Sequence, residues 1–256
     1  MKLGTMVHMR GADLEDKIRQ VHENGFETCQ ICCWNGAWLT DEAADRIRAL
    51  CETYHVEIST FWCGWSGPGV WDFAEGPLTL GLVPPEYRFA RMEELKRGSD
   101  FAKRLGTENI ATHVGFLPEV SGSGEYRSVV AALKHVAHYV KANGQYFLFE
   151  TGQETPVTLL RTIEDIGTDN LGINLDPANL ILYGKANPVD ALMSSESMSA
   201  TCTRKMDCTP PTASISGVRR RSARARWISR ASLQNCVRSG MTDRSPSSAR
   251  SRVSSS

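Results

Sequence analysis

Two acidic residues each close an apolar run of the sequence. Glu150 follows the run 146–149, and Asp176 follows the run 171–175. The carboxyl ends of parallel barrel strands open onto the face that carries the active site, so we expect these acids at one rim. Like charges there repel and shift each other's pKa, and a divalent cation relieves the repulsion and polarises a carbonyl or hydroxyl group. The alternative is that each acid merely caps the following helix or starts a turn.

The first 192 residues alternate between strand and helix patterns. The predicted strands are 2–8, 27–32, 57–62, 109–113, 145–150 and 171–176, and the predicted helices are 13–24, 41–54, 86–105, 126–143, 156–166 and 187–192. Six β-α units in series indicate parallel pairing with right-handed crossovers. An open doubly wound sheet has the same count, but residues 5–9 lack the Gly-rich phosphate turn that such a sheet normally carries. The pattern favours a (β/α)₈ TIM barrel of class α/β with about six of its units present.

The residues after 192 differ sharply in composition from those before. They hold 12 of the 29 Lys and Arg residues but 3 of the 29 acidic ones, so the formal charge is about −9 before residue 193 and about +9 after it. Seventeen of them are serines, and apolar periodicity is nearly lacking. A disordered basic tail and a nucleic-acid-binding arm are two interpretations of this segment.

A lost nucleotide near residues 192 and 193 is a third interpretation of the tail. In one shifted frame, the genetic code permits Val-Phe-Gly-Lys-Tyr-Val-Arg at 193–199, Leu-His-Ala-Lys-Asp-Gly at 201–206, and Leu-Gly-Glu-Gly within 221–229. The same frame permits a run ending in Ile-Glu-Arg-Glu within 237–249. These shifted-frame peptides restore the patterns of a strand, a loop, an amphipathic helix and a second strand. We therefore interpret 1–192 as a truncated barrel domain and 193–256 as a frame-shifted, disordered tail.

Three motifs resemble those of the sugar phosphate isomerase/epimerase family, the xylose-isomerase-like barrels. They are HVGFLPE at 113–119 for strand four, FETGQETP at 149–156 for strand five and NLGINLDPANL at 170–180 for strand six. The resemblance covers essentially all of residues 1–192. The shifted-frame peptides extend the resemblance to His-x-Lys-Asp in strand seven and Ile-Glu-Arg-Glu in strand eight.

The resemblance implies a metal-dependent proton transfer on an open-chain sugar or sugar phosphate. In this family one divalent ion, often Mn²⁺, Mg²⁺ or Co²⁺, is held by Glu, Asp, His and Glu from strands five to eight. By motif, Glu150 and Asp176 are the first two ligands, and the codons of Cys202 and Ser247 overlap the positions of the lost His and Glu. A pair of glutamates, Glu150 among them, would move a proton through an enediolate. With two ligands missing, we expect little or no isomerase activity from this chain.

Further residues are candidates for the sugar pocket. They are His113, Gln153, Asn179, Trp34 and Trp62. A buried structural role is the alternative for His113, and Asn179 stands where many relatives carry His. Trp34 and Trp62, together with Trp65, either wall the pocket around a sugar or simply pack.

Other functions remain as alternatives. A polyol dehydratase of the same fold would use the same metal and carboxylates. A nonenzymatic truncated product follows if the loss of two strands exposes sheet edges. An abasic-site nuclease of the endonuclease IV type needs three zinc ions and many more histidines. The net negative charge of residues 1–192 also opposes the binding of phosphate groups.

Partners and location follow from the remaining features of the sequence. Cys29, Cys32 and Cys33 resemble half a zinc site, but they lie in a predicted buried strand, which favours reduced thiols. No apolar run approaches the length of a membrane span, and no export signal precedes the first strand. The sequence predicts a cytoplasmic protein that binds a small sugar rather than a membrane or nucleic acid, and it leaves the oligomeric state open.

Overall fold

Strands and helices alternate throughout the computed structural model, which describes residues 2–11 and 13–191. The strands are β1 (Gly4–His8), β2 (Thr28–Cys33), β3 (Glu57–Cys63), β4 (Asn109–Thr112), β5 (Tyr146–Glu150) and β6 (Leu171–Asn174). The helices are α1 (Leu14–Glu23), α2 (Asp41–Thr53), α3 (Gly76–Thr79), α4 (Pro85–Leu105), α5 (Gly124–Ala142), α6 (Pro156–Ile166) and α7 (Pro177–Leu182), with a 3₁₀ turn at Gly36–Trp38.

The six strands form one parallel sheet in the order β1-β2-β3-β4-β5-β6. A doubly wound sheet reverses its order at a switch point, whereas a barrel adds each strand beside the one before it. The uninterrupted order is therefore that of a barrel, which confirms the predicted fold class. Within the described residues, β1 and β6 each have a neighbouring strand on one side only.

Alternate residues of the strands face the inside of the barrel. At one level of the ladder the inward side chains are Cys32, Trp62, Ala111 and Leu148, which form a small buried cluster of their own. The large core lies on the other side, where the sheet packs against the helices. Because side chains alternate along a strand, Glu150 shares the inward face with Leu148, two residues before it. The sheet thus directs Glu150 into the mouth of the barrel.

The predicted element bounds agree with the structure to within about two residues, and one of the differences changes the role of a candidate site residue. The strand predicted at 171–176 ends at Asn174, and Asp176 is instead the N-cap of α7. Pro177 stands at the first helical position, where its missing N–H costs nothing. The predicted helix at 187–192 is helical over 188–191, and residue 192 lies outside the described residues.

The connection between β3 and α4, residues 64–84, is fastened by one buried guanidinium. Arg91 of α4 donates hydrogen bonds to the carbonyl oxygens of Ser66 (3.0 Å), Pro68 (2.8 Å), Thr79 (2.8 Å) and Gly81 (2.7 Å). A planar guanidinium carries five donors in a fixed fork, so it can hold both ends of a loop at once. This connection brings two tryptophans to the barrel mouth.

Candidate active site

Glu150 is the buried carboxylate at the carboxyl end of β5. The side chain is 5% exposed, and its Oε2 accepts hydrogen bonds from Nε1 of Trp62, at 3.3 Å, and from Nδ2 of Asn174. Asn174 is also the ladder partner of Glu150 on β6. Donors from two other strands therefore fix the orientation of this carboxylate.

Asp176 lies beside the same strand end but is also a helix cap. Its Oδ1 accepts hydrogen bonds from the backbone N–H groups of Ala178, at 2.8 Å, and Asn179, at 3.2 Å. Its own backbone N–H donates to Oγ1 of Thr151 at 2.7 Å, which joins it to the residue after Glu150. The capping role considered from the sequence is thus present in the structure. Glu150 ends β5, and Asp176 lies two residues beyond the end of the neighbouring strand, β6.

The two carboxylates by themselves do not complete a metal site. Within residues 2–11 and 13–191, no group of three or more His, Cys, Asp or Glu side chains is placed to hold an ion. Carboxylate oxygens suit Mn²⁺, Mg²⁺ or Co²⁺, but Oδ1 of Asp176 is already engaged by two amides. The predicted positions of the other two ligands, at Cys202 and Ser247, lie outside the described residues.

His113 directly follows β4 and is fully buried. Its Nδ1 accepts a hydrogen bond from the backbone N–H of Gly115 at 3.2 Å, which assigns the ring proton to Nε2. Burial lowers the pKa of His113 to about 4, so the ring is neutral near pH 7. Nε2 has no hydrogen-bond partner in the described part of the chain. A Cβ at Gly152 would overlap this nitrogen, so the loop after β5 lies directly against the ring.

Gln153 and Glu154 belong to that same loop and are also buried. Neither amide atom of Gln153 has a hydrogen-bond partner among the described residues, and the same holds for Oε2 of Glu154. Oε1 of Glu154 accepts from the backbone N–H of Gly152 at 3.2 Å. Burial, with a smaller contribution from the nearby charge of Glu150, raises the pKa of Glu154 to about 7.

Four tryptophans surround one side of the barrel mouth. The ring of Trp34 lies 4.9 Å from that of Trp62, 5.4 Å from that of Trp65 and 6.1 Å from that of Trp71, measured between centroids. Trp71 meets the ring of His113 edge to face at 5.0 Å. Trp34 is 41% and Trp71 42% exposed, so part of each ring is free to contact a ligand.

Most of the residues singled out from the sequence thus meet at this mouth. Asn179 joins them through its side chain, which donates to the carbonyl oxygen of Thr151 at 2.9 Å. Three residues that sequence analysis did not single out are Trp71, Asn174 and Glu154. Asn174 carried a usable signal, since it is a polar residue inside an apolar strand. Trp71 carried none, because it lies in an irregular connection.

Comparison with known proteins places the chain among related barrels. Residues 18–201 match the family model described as xylose isomerase-like TIM barrel. The chain belongs to this family. A xylose isomerase domain protein from Planctomyces limnophilus is 33% identical, with a TM-score of 0.71 over 78% of this chain and 72% of that one. No curated protein matches the chain in sequence.

Solved structures of lower sequence identity include a sugar epimerase and a probable dehydratase. A D-psicose 3-epimerase from Clostridium cellulolyticum H10, solved with D-tagatose, is 16% identical, with a TM-score of 0.56 over 75% of this chain and 69% of that one. A probable 3-DHS dehydratase from Bacillus anthracis is 19% identical, with a TM-score of 0.56 over 77% and 70%. At these identities the likeness shows the fold alone. In the described residues, no helix is both long and apolar enough to span a membrane.

Proposed function

We propose that this chain is the larger part of a sugar isomerase or epimerase that transfers a proton on a carbon next to a carbonyl group. The observation that carries the proposal is the placement of Glu150, a buried carboxylate at the mouth of a xylose isomerase-like barrel, held by Trp62 and Asn174. A carboxylate in a fixed orientation is suited to remove and return such a proton.

The other residues of the mouth supply binding and orientation. The exposed faces of Trp34 and Trp71 can stack on the apolar face of a sugar ring or chain. His113 presents an N–H donor and Gln153 an amide, both of which pair with hydroxyl groups. Asn179 holds the loop after Glu150 in place through Thr151. The substrate is therefore proposed to be a small polyhydroxylated molecule.

A divalent ion is part of the proposal only for a complete barrel. Glu150 and Asp176 would be two of its four ligands, and the other two would come from the strands that a frame-restored chain supplies. Such an ion, Mn²⁺, Mg²⁺ or Co²⁺, would polarise the oxygens next to the migrating proton. We propose accordingly that 1–192 is the barrel domain, that 193–256 is a frame-shifted tail and that this chain has little or no turnover. The cytoplasmic location stays a prediction.

Proton exchange into free ketoses in deuterated water tests this function. A chain with the reading frame restored after residue 192, supplied with Mn²⁺, is expected to incorporate deuterium next to the carbonyl, whereas the present chain is not. Glu150→Gln in the restored chain should abolish exchange while its circular dichroism spectrum stays unchanged. Glu164→Gln, on the exposed side of α6, is the matched control and should exchange normally.

Two outcomes would contradict the proposal. Deuterium incorporation that persists in Glu150→Gln would remove Glu150 from the chemistry. Loss of water from a cyclic polyol, without exchange into any ketose, would identify the restored enzyme as the dehydratase considered from the sequence.

A further inference from the structure

Three neighbouring side chains at the barrel mouth bury polar atoms that have no partner. They are Nε2 of His113, both amide atoms of Gln153 and Oε2 of Glu154, all without a hydrogen bond from the described residues. Gln153 is 1% and Glu154 2% exposed, and His113 is fully buried, so water does not satisfy these atoms at the surface. Buried polar groups are nearly always paired in folded proteins, because leaving them unpaired opposes folding. Three together in one place therefore require an explanation.

A second buried glutamine shows how this chain treats the same side chain in a structural role. Gln145 is 3% exposed, close to the value for Gln153. Its Oε1 accepts from Oγ of Ser99 at 2.5 Å, and its Nε2 donates to the carbonyl oxygen of Thr107 at 3.2 Å. The buried amides away from the mouth each have at least one paired atom, since Nδ2 of Asn109 and Nδ2 of Asn170 both donate to backbone carbonyl oxygens, whereas Gln153 at the mouth has neither atom paired within the described residues. The difference points to a ligand as the missing partner of Gln153.

Glu154 lies close enough to the other two residues to share that ligand. Its Oε1 is bound by the N–H of Gly152, and Gly152 is packed directly on the imidazole of His113. Gln153 lies between Gly152 and Glu154 in the chain. Burial and the charge of Glu150 both favour the protonated form of Glu154, which can donate a hydrogen bond as well as accept one.

We propose that Glu154 is a substrate-binding residue that, with Gln153 and His113, pairs with the hydroxyl groups of an uncharged sugar. The inference deepens the proposed function and rests on it for the identity of the ligand class. The three side chains offer N–H and O–H donors and one amide acceptor, which matches hydroxyl groups that both donate and accept. Because the unpaired atoms are closed to solvent, residues 151–155 must shift to admit a sugar, and the pairing gained favours that shift.

The test combines unfolding and binding measurements on the full chain as it exists. Glu154→Met, Gln153→Met and Gln145→Met are compared by urea unfolding at pH 6.0, where the Glu154 carboxyl of the folded chain is protonated, and the binding measurements use the same pH. Substitution of Gln145 should lower the unfolding midpoint clearly, whereas the other two should leave it unchanged or raise it. Binding of D-fructose is then followed by tryptophan fluorescence. Glu154→Met should raise the Kd about tenfold or more, which corresponds to one lost hydrogen bond in a dry site.

Two further variants separate a binding role from a purely structural one. Glu154→Gln keeps a donor and an acceptor and should restore most of the affinity, and Glu164→Gln should bind like the unaltered chain. The proposal is overturned if Glu154→Met and Gln153→Met unfold as early as Gln145→Met, or if the unaltered chain binds no ketose. Sugar binding that depends on Glu154, without deuterium exchange in the restored chain, would refute the proposed reaction but support this subsite. Deuterium exchange that needs Glu150 but not Glu154 would support the proposed reaction and refute this subsite.

Discussion

The indole Nε1 of Trp62 lies 3.3 Å from Oε2 of Glu150, although the two residues belong to strands separated by β4. The intervening ladder position is Ala111, whose small side chain leaves room for the indole inside the barrel. A contact between side chains 88 residues apart thereby sets the direction of the proposed catalytic carboxylate.

Trp62→Phe is expected to destabilise the chain by about 1–3 kcal/mol, because it removes one donor from a buried carboxylate. The free energy of unfolding from urea titration at pH 7.5 measures the effect. Trp38→Phe, on the half-exposed 3₁₀ turn, is the control and should change stability by less than about 0.5 kcal/mol. Equal losses for both variants would show that the hydrogen bond to Glu150 contributes nothing.

Glu154 should make the chain less stable as the pH rises. Its pKa in the folded chain is raised to about 7 from an ordinary value of 4.5, so the folded state holds the proton more tightly between these values. Stability from this group is present below pH 4.5 and is lost as the pH rises through 7. The unfolding free energy of Glu154→Gln, relative to that of the unaltered chain, should therefore increase by about 2–3 kcal/mol from pH 5 to pH 8. Unfolding free energies that run parallel at the two pH values would contradict this.

Gly152→Ala should disturb the His113 ring, because the added Cβ overlaps Nε2. Overpacking of a buried site typically costs about 1–3 kcal/mol. Thermal unfolding and the NMR signals of the His113 ring report the change. Gly122→Ala, where a Cβ meets nothing within 4 Å, provides the matched control and should unfold like the unaltered chain.

Arg91→Met should be the most damaging of these changes. It leaves the four carbonyl oxygens of the connection at 64–84 without this donor, and each buried acceptor left unpaired costs about 1–3 kcal/mol. Arg91→Lys keeps the charge but not the planar fork, so we expect only partial recovery. Urea unfolding compares both with Arg127→Met on the exposed face of α5. If Arg91→Met unfolds like that control, the guanidinium does not hold the connection.

The alternation of apolar runs predicted the six strands, and the lack of a Gly-rich turn after the first of them favoured the barrel order over a doubly wound sheet. Strands β2, β4, β5 and β6 are buried almost throughout, and such apolar runs are visible without knowledge of the fold. The short helix α7 was missed because the apolar run at 171–175 continues past the end of the sheet, although Pro177 after Asp176 is a recognisable helix start.

The acids of the candidate site were predictable, whereas their partners were not. Glu150 and Asp176 stand out in the sequence because each is an acidic residue directly after an apolar run. Trp62 reaches Glu150 across a third strand, and this depends on the size of Ala111. The role of Glu154 became visible only from the atoms around it, since the sequence does not show which buried oxygen lacks a donor. The tail and its reading frame lie outside the described residues.

The six-stranded sheet also affects how this polypeptide associates with other polypeptides. In the described residues, β1 and β6 each pair with a strand on one side only, and the first three residues of β1 are exposed. A separate peptide that supplies two strands in register with β1 and β6 is expected to pair with both edges and complete the barrel. Co-expression of residues 1–192 with the frame-corrected remainder as a second polypeptide would then yield a soluble, two-piece enzyme, whereas residues 1–192 alone would assemble into larger particles as their concentration rises.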